Sequence, residues 1–417
     1  MTNGRKQKRE DSHFKVSMLV CNTFLNDARV LKEAETLVQA GYQVTVNALA
    51  LPGVAPGLEV LSSGIRVRRH GASYTKGEGK TESSKQERSK ERSKFEVLAL
   101  MASQGRALMS MTWSTFRARP DIIHAHDVNM LPSAWLAARL AKAPLIYDAH
   151  EISTDREGYK AIRGVVGWIE KKLMPTAAGT ITTTDARAKF FARAYHIERP
   201  LVLQNRPRLV KVEGSNRIRE ELALKEPWPI ALYQGGLQPG RGLPRLVEAA
   251  AHVPQTYFVF IGGGRQASEL HQLAEKLELT ERVYFISTVP LAALPAYTAS
   301  ADIGVQPIEN TCLNHFTTDS NKLFEYVIAG LPVVASQLPE ISKVVREHDL
   351  GLLVPPGDTQ ALADAIQTLV QNLEMRKQYS FNAGLAAQSL NWETQEQSLL
   401  DLYAKILPIN GGMELQG

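Results

Sequence analysis

Residues 321–336 read Asn-Lys-Leu-Phe-Glu-Tyr-Val-Ile-Ala-Gly-Leu-Pro-Val-Val-Ala-Ser. The spacing of the apolar residues predicts a short helix that stops at Gly330 and is followed by an apolar strand. Lys322 and Glu325 are three residues apart, so they share one side of that helix. Such a pair suits a ligand with phosphate and hydroxyl groups, because the ammonium meets negative charge and the carboxylate accepts hydrogen bonds from a diol. The alternative is an ordinary ion pair on a surface helix.

Apolar runs of strand length alternate with helix-like spacing on both sides of this stretch. The strands predicted in the first half lie at 16–21, 42–46, 65–69, 122–126, 144–147, 179–183 and 202–203. Those predicted in the second half lie at 230–233, 257–261, 283–285, 303–305, 332–335 and 351–354. Strands that alternate with helices favour parallel sheets covered on both faces, so the sequence predicts an α/β chain with two doubly wound halves.

The length of 417 residues is sufficient for two domains. We predict a disordered tail over 1–14, a first domain over 15–207, a second domain over 208–390, and a closing helix and tail over 391–417. Prolines lie among charged residues near 205–228, as is typical of a hinge between domains.

One segment inside the first domain has low complexity. Residues 76–94 contain seven Lys or Arg and four Glu without an apolar side chain, which predicts a mobile charged loop. The apolar residues 95–117 follow directly. They predict a helix packed on the first sheet; the alternative is that this helix and the basic loop contact an anionic membrane surface.

Composition excludes several classes of protein. The net charge of +5 is a mild excess that does not indicate nucleic acid as a partner. Cys21 and Cys312 are far apart and predict a reducing compartment rather than a disulfide framework. The basic start of the chain has no apolar leader, and no apolar run reaches membrane-spanning length, so we expect a cytoplasmic protein.

A glycine-rich segment opens the second half. Residues 233–242 read Tyr-Gln-Gly-Gly-Leu-Gln-Pro-Gly-Arg-Gly between a predicted strand and a predicted helix. Gly235 and Gly236 allow close approach of the backbone to a ligand, and Arg241 adds a guanidinium for phosphate oxygens. A plain turn is the alternative. Because ligands bind at the carboxyl edge of open α/β sheets, we expect this segment to converge with Lys322 and Glu325.

Histidines and carboxylates follow two strands of the first half. His124 and His126 point to one side of a strand, Asp127 comes next, and His150-Glu151 follow the next strand. These residue types can bind a metal ion. A third ligand at a diagnostic spacing is missing, so we expect a polar pocket with no metal and no cofactor. Gly262-Gly-Gly264 lacks the remaining glycine and acidic residue of a dinucleotide fingerprint, which makes a nicotinamide dehydrogenase a poor interpretation.

Taken in order, the motifs over residues 15–407 resemble glycosyltransferase family 4, the retaining group 1 sugar transferases. The resemblance is carried by Asn26-Asp-Ala-Arg-Val-Leu-Lys-Glu-Ala34, Asp121-Ile-Ile-His-Ala-His-Asp127, Gln234–Gly242, Asn321–Ser336 and Gly351-Leu-Leu-Val-Pro-Pro-Gly-Asp358. It implies the GT-B fold, two facing Rossmann-like domains with an interdomain cleft. It also implies transfer of a sugar from a nucleotide-diphosphate sugar to a saccharide or lipid-linked acceptor, in polysaccharide or glycolipid assembly at the inner membrane face.

The resemblance also implies roles for individual residues. Glu325 would bind the nucleotide ribose, Arg241 the donor diphosphate, and His126 the sugar. We assign catalytic roles to these three residues and to Lys322. The other expected donor-site residues are Gly235, Gly236, Thr317 and Asn321, and the expected acceptor-side residues are Asn26, Asp27, Arg29 and Asp127, with His126.

Two positions depart from the family pattern. Thr317 stands eight residues before Glu325, where the family has its first glutamate, and Gly236 stands where it has an arginine. Lys322 would replace the missing cation; Asp319 and Glu309 are weaker candidates for the missing carboxylate. These departures leave two rivals open, a nucleotide-sugar 2-epimerase of the same architecture and an inactive nucleotide-binding scaffold.

Overall fold

Two parallel-stranded sheets organise the chain into two α/β units. The computed structural model describes residues 14–50, 56–71, 94–210 and 214–407, without the side chains of 94–103 and 157. The described residues of the first unit are 14–183 apart from 51–55 and 72–93, 188–202 and 396–407, and those of the second are 184–187 and 203–395 apart from 211–213. The chain therefore returns to the first unit near its end.

The first unit contains an eight-stranded sheet in the order β3-β4-β2-β1-β5-β6-β7-β8. Its strands are β1 (Lys15–Leu19), β2 (Gln43–Leu49), β3 (Leu58–Val60), β4 (Arg66–His70), β5 (Ile122–His126), β6 (Leu145–Ala149), β7 (Gly179–Thr182) and β8 (Leu201–Val202). The helices with residues in this unit are α1 (Ala28–Gln39), α2 (Lys94–Ala118), α3 (Asp127–Ala141), α4 (Arg163–Leu173), α5 (Asp185–Tyr195) and α15 (Glu393–Ile406). All pairings are parallel except that of β3 with β4.

The second unit contains a six-stranded, fully parallel sheet in the order β11-β10-β9-β12-β13-β14. Its strands are β9 (Ile230–Gln234), β10 (Tyr257–Ile261), β11 (Val283–Ile286), β12 (Ile303–Gln306), β13 (Val333–Ser336) and β14 (Gly351–Val354). Its helices are α6 (Arg217–Glu221), α7 (Leu243–His252), α8 (Ala267–Lys276), α9 (Leu294–Thr298), α10 (Leu313–Phe316), α11 (Asn321–Ile328), α12 (Pro339–Glu347), α13 (Thr359–Gln371) and α14 (Leu373–Ala386).

Alternation along the strands builds a core on each face of the second sheet. Ile230 and Leu232 of β9 face one cluster, which includes Tyr326 of α11. Ala231 and Tyr233 face the opposite cluster, formed with α7, α8 and α13. Burial on both faces is typical of parallel sheets with crossover helices. It leaves the strand ends as the places where polar side chains collect.

Each sheet reverses its strand order at one point. In the second sheet, the chain winds outward from β9 to β11 in one direction and from β12 to β14 in the other. In the first sheet, the corresponding neighbours are β1 and β5. Open α/β sheets bind ligands beyond the carboxyl ends of the strands at such a switch point. The loops after β1, β5, β9 and β12 are therefore where a site is expected.

The predicted α/β architecture with two doubly wound sheets is confirmed, and the helices that the sequence predicts at 243–252 and 359–371 are present with those bounds as α7 and α13. The sequence missed β3, an edge strand of three exposed residues, and helices α5 and α14. Helical spacing in the sequence predicts a helix over 134–142, which begins later than the observed helix. In the structure α3 starts at Asp127 and contains Pro132. β3 was missed, and the start of α3 was predicted wrongly, because local sequence rules take no account of tertiary contacts.

The helix predicted over 95–117 is confirmed as α2. The predicted tail over 1–14 and the charged loop over 76–94 lie outside the described residues, apart from Phe14 and Lys94. Across the described ranges, no helix combines the length and apolar character required to cross a membrane.

Candidate functional site

The switch point of the second sheet is lined by glycines that no other residue can replace without strain. β9 ends at Gln234, and Gly235 follows with a φ of +126°. A Cβ atom on Gly235 would lie 2.1 Å from Cε of Lys322 and 2.6 Å from its Nζ. Gly242, which precedes α7, has a φ of +69°, and its Cβ would lie 1.9 Å from the carbonyl oxygen of Pro307. These glycines bring the backbone of the loop directly against α11 and the end of β12.

A buried tyrosine fixes helix α11 over the strand ends. The Tyr326 hydroxyl accepts a hydrogen bond from the backbone N–H of Gln234 at 3.3 Å. It lies 3.1 Å from the carbonyl oxygen of Leu232 and 3.3 Å from that of Val305, to either of which it can donate. Since Tyr326 follows Glu325 directly, this anchor places the Glu325 carboxylate at the end of β9. There the Gln234 side chain donates to Glu325 Oε2 at 2.6 Å.

The backbone before α11 is strained. Ser320 precedes the helix with φ of 51° and ψ of 126°, a conformation that residues other than glycine rarely adopt. Its N–H is held by the Thr318 hydroxyl at 3.2 Å. Strain of this kind persists where the surrounding contacts impose it, often in functional sites. The helix that follows has Lys322, in its first turn, packed against Gly235 of the glycine-rich loop.

Two cations lie close together at this edge. Burial lowers the pKa of Lys322; the Glu325 carboxylate acts in the opposite direction, and the charge of Arg241 lowers it further. Burial raises the pKa of Tyr233 to about 12, and Arg241 opposes that shift. Arg241 is therefore near enough to influence both side chains. Ammonium, guanidinium and carboxylate together suit a ligand that combines a diphosphate with a diol.

Thr317, which replaces the family's first glutamate, is buried and tied to a guanidinium. Arg187 Nε donates to Thr317 Oγ1 at 3.2 Å, and Arg187 Nη2 donates to the carbonyl of Asn314 at 3.1 Å. The Thr317 hydroxyl donates in turn to the carbonyl of Leu313 at 2.8 Å. Arg187 was missed by sequence reasoning, since it lies 130 residues away from Thr317.

The two weaker candidates for the missing carboxylate differ in their surroundings. Glu309 pairs with Arg245 at 3.0 Å and is partly exposed. Asp319 is buried and accepts a hydrogen bond from Gln204 Nε2 at 2.8 Å. Burial raises the pKa of Asp319, and the bond from Gln204 acts against that rise. Asp319 is thus the more desolvated of the two.

The switch point of the first sheet carries the predicted acceptor-side residues. Asp27 caps α1, its Oδ1 accepting from the N–H of Val30 at 3.1 Å, and Asn22 Nδ2 donates to Asp27 Oδ2 at 2.8 Å. Asn26 is exposed. Asp127, the first residue of α3, has a φ of 62° and lies 3.6 Å from Nδ1 of His150. The loop after β1 and the end of β5 thus present polar groups at their edge of the first sheet.

Arg29 is buried, unlike Asn26, Asp27 and Asp127. Its Nε and Nη2 donate to Asp148 at 2.8 and 3.0 Å, and Nε is 3.1 Å from Glu33 Oε1. Burial opposes ionisation of Asp148, yet Arg29 and His150 hold the pKa of its carboxyl well below the usual range. Burial raises the pKa of Glu33 to about 7, against the influence of Arg29. Arg29 is therefore the cation at the centre of a buried charge network.

The histidines complete this network. His126 Nδ1 lies 3.3 Å from His150 Nε2, and His150 Nε2 lies 3.1 Å from Asp148 Oδ2. The ring of His126 stacks on that of His124 with centroids 4.2 Å apart, which confirms that they point to one side of β5. His124 Nδ1 is 2.9 Å from the hydroxyl of Tyr403. His126 is 2% exposed.

The neighbouring carboxylates determine the protonation state of His150. Burial disfavours its charged form, but the carboxylates of Asp127 and Asp148 outweigh burial and raise the pKa of His150 to about 9. Burial lowers the pKa of His124 well below its usual value, and His126 adds to this shift. At neutral pH His150 is cationic, while His124 is neutral.

This cluster has the composition of a metal site. Glu33, His124, His126 and Asp148 each offer a ligand atom within 4.8 Å of the others, so folding supplies the further ligands that sequence spacing lacked. The guanidinium of Arg29 already contacts both carboxylates. A buried cation among its counter-charges favours a charge network here over a cation site.

Comparisons with known proteins agree with this architecture. The family model described as "Glycosyl transferases group 1" matches residues 214–384, and "Glycosyl transferase 4-like domain" matches residues 27–205. Phosphatidyl-myo-inositol mannosyltransferase of Mycobacterium leprae is 25% identical over 292 residues, which cover 69% of this chain and 74% of that protein.

Solved structures share the fold. Sucrose-phosphate synthase from Thermosynechococcus elongatus superposes with a TM-score of 0.76 at 20% identity, covering 94% of this chain and 99% of that one. The Anabaena protein HepE, solved in complex with UDP-glucose, superposes with a TM-score of 0.71 at 19% identity, covering 94% of this chain and 100% of that one.

Proposed function

Because the chain belongs to the group 1 glycosyltransferases and has the GT-B fold, we propose that it transfers a sugar with retention from a nucleotide-diphosphate sugar to an acceptor hydroxyl. The observation that carries the donor assignment is the placement of Lys322 against Gly235, and of Glu325 against Gln234, at the switch point of the second sheet. The similarity in fold to HepE, which was solved with UDP-glucose, supports a nucleotide sugar as the donor.

The second unit binds the leaving group in this proposal. Arg241 and Lys322 bind the diphosphate and stabilise the negative charge that grows on it as the sugar bond breaks. Glu325 accepts hydrogen bonds from the ribose diol, and Asn321, the first residue of α11, is a further donor-site residue. The acceptor hydroxyl then attacks from the face that the diphosphate leaves, and the phosphate takes its proton. These protein cations supply the charge, so we expect sugar transfer to proceed without a metal ion or other cofactor.

The departures from the family pattern at Thr317 and Gly236 are compatible with this mechanism of sugar transfer. The family's missing arginine is replaced by Lys322, whose ammonium lies against the loop that contains Gly236. No carboxylate stands at 317, and we assign no sugar contact to the Thr317 side chain, since Arg187 already holds its hydroxyl. Donor-sugar contacts in this region come instead from the backbone of the loop before α11.

The first unit supplies the acceptor side. Asn26, Asp27 and Asp127 lie at its switch point, where a saccharide or lipid-linked acceptor finds hydrogen-bonding groups. His126 ends β5 and is the proposed sugar contact. Asp148 and His150 hold its ring, and Arg29 acts from within the network that supports it.

We further propose that the enzyme works in glycolipid or polysaccharide assembly at an anionic membrane surface. Three neighbouring helices of the first unit expose apolar side chains. Met109 and Trp113 of α2 are 73% and 54% exposed, Leu136 and Leu140 of α3 are also exposed, and Trp168 of α4 is 64% exposed. Arg117, Lys171 and Lys172 lie on the same helices. Exposed apolar groups beside cations suit an anionic lipid surface.

A donor screen tests the enzymatic proposal. UDP-, GDP-, ADP- and TDP-sugars are added to the protein in a thermal-shift assay, since a ligand of the folded state raises the melting temperature. The stabilising donor is then incubated with and without candidate acceptors in excess chelator, and the products are separated by chromatography. Acceptor-dependent release of nucleoside diphosphate is expected. An epimerised donor formed without acceptor would identify an epimerase, and binding without any turnover would identify a scaffold.

A further inference from the structure

The ribose-binding carboxylate is held by a second side chain from the end of the neighbouring strand. Gln234, the last residue of β9, is 1% exposed and donates its Nε2 hydrogen to Glu325 Oε2 at 2.6 Å. Gln234 belongs to the strand that Tyr326 anchors, so the amide and the carboxylate are fixed to the same part of the sheet. A hydrogen bond to a charged acceptor is among the stronger ones in proteins.

The contacts of Gln234 also determine which way its amide faces. An ionised carboxylate only accepts hydrogen bonds, so the amide NH2 must face Glu325. The amide oxygen then faces Thr298, whose Oγ1 lies 2.8 Å from it and donates the hydrogen. The same hydroxyl is 2.9 Å from the carbonyl of Leu294. The Thr298 hydroxyl has one hydrogen to donate. Since Gln234 Oε1 needs a donor, that hydrogen points to Gln234 rather than to Leu294.

We propose that Gln234, oriented by Thr298, is a positioning residue for nucleotide binding. The Gln234 amide holds Oε2 of Glu325 and so turns the other carboxylate oxygen toward the ribose diol. It also competes for this carboxylate with Lys322, which lies one turn earlier on α11. This inference rests on the proposed ribose role of Glu325. It adds that Gln234 acts on the ribose hydroxyls only through Glu325.

A positioning role and a purely structural role of Gln234 predict different effects on nucleotide binding. If Gln234 acts through the carboxylate, then its loss weakens binding of a nucleotide that has both ribose hydroxyls and leaves binding of a deoxy nucleotide nearly unchanged. If Gln234 only supports the fold of the loop, then both nucleotides lose affinity together.

The experiment measures dissociation constants by calorimetry for the wild type, Gln234→Leu and Glu325→Ala. The probes are UDP, 2′-deoxy-UDP and 3′-deoxy-UDP for a UDP-sugar donor, or the matching set for the base that the donor screen selects. Gln234→Leu is expected to weaken ribonucleotide binding about tenfold, the scale of a lost charge-assisted hydrogen bond. At least one of the two deoxy nucleotides should bind Gln234→Leu and the wild type with equal affinity.

A second pair of variants guards against an effect on folding. Thr298→Ser retains the hydroxyl and should keep the ribonucleotide preference, whereas Thr298→Val removes it and should reduce that preference. Melting temperatures of all variants are recorded in the absence of nucleotide. Equal weakening of all three nucleotides by Gln234→Leu, or an unchanged preference, would overturn the proposal.

The same measurements separate this inference from the function on which it rests. If Glu325→Ala keeps the full preference for ribose hydroxyls, then Glu325 does not bind the ribose and the proposed site is wrong. If Glu325→Ala loses the preference and Gln234→Leu keeps it, then the site stands and the positioning role is wrong.

Discussion

Gly235 and Lys322 are packed so closely that a single methyl group on the glycine would occupy the place of the lysine side chain. A Cβ atom would lie 2.1 Å from Cε of Lys322, and the glycine φ of +126° is itself unsuited to other residues. The glycine therefore serves two purposes. It permits the turn after β9, and it allows the ammonium to lie against the loop backbone.

Gly235→Ala should destabilise the second unit and displace Lys322. The backbone conformation alone should cost about 1–3 kcal/mol, and nucleotide affinity should fall because the lysine must move. Denaturant unfolding and calorimetry measure the two effects. Gly384→Ala is the matched control, since this glycine lies on α14 of the same unit, away from the proposed site, and a Cβ there would meet nothing within 4 Å. Similar losses in both variants would contradict the specific role of Gly235.

Arg241→Ala and Lys322→Ala should each lower kcat more than they weaken binding of the nucleoside. Both side chains meet charge that grows on the diphosphate, so the loss appears mainly in the transition state and should be roughly 100-fold in turnover. Steady-state kinetics with the donor from the screen provide kcat and KM. Lys343→Ala removes an exposed lysine of the same unit and should have wild-type rates. Wild-type turnover in both site variants would place the diphosphate elsewhere.

Asp148→Asn should be strongly destabilising. It leaves the guanidinium of Arg29 buried without its bidentate carboxylate, and breaking a buried pair of this kind typically costs about 3–5 kcal/mol. Chemical denaturation measures the free energy of unfolding. Asp401→Asn, at an exposed carboxylate of the same unit, should change it by less than about 0.5 kcal/mol. A small effect at Asp148 would show that the network contributes little to stability.

The stability contributed by His150 should depend on pH. Its pKa is raised to about 9 in the folded protein from an ordinary 6.5, so its contribution is complete below pH 6.5 and is lost as the pH rises through 9. The difference in unfolding free energy between the wild type and His150→Gln should therefore shrink over this window, by up to about 3 kcal/mol. Denaturation at a series of pH values tests this. A difference that stays constant would mean that His150 does not titrate as the structure indicates.

The exposed apolar side chains of α2 and α4 should promote binding to anionic vesicles. Replacing Met109, Trp113 and Trp168 by serine should reduce sedimentation with vesicles of phosphatidylcholine mixed with phosphatidylglycerol. Salt should weaken the binding, since each basic residue near the surface contributes about 1 kcal/mol. Phe381→Ser, which changes a residue 63% exposed in the second unit, is the control. Equal binding to vesicles of phosphatidylcholine alone would contradict the electrostatic part of the proposal.

Sequence pattern alone was enough to predict the layered architecture, because strand and helix periodicity are local properties. The run at 321–336 predicted a helix and a strand, and both are present as α11 and β13. The same periodicity placed the glycine-rich segment 233–242, with Arg241, between a strand and a helix. The pairing of Lys322 with Glu325 on one helical face follows from their spacing, so these donor-site candidates required no tertiary information.

Only the tertiary structure decided which side chains support them. Gln234 and Glu325 are 91 residues apart, Arg29 and Asp148 are 119 apart, and Arg187 and Thr317 are 130 apart. Their contacts depend on the order of strands in each sheet, which brings distant strand ends together and which no local rule predicts. Arg29 illustrates the difference. The family resemblance implied a role for it on the acceptor side, but the first turn of α1 carries its side chain into the interior, where desolvation makes a carboxylate partner necessary.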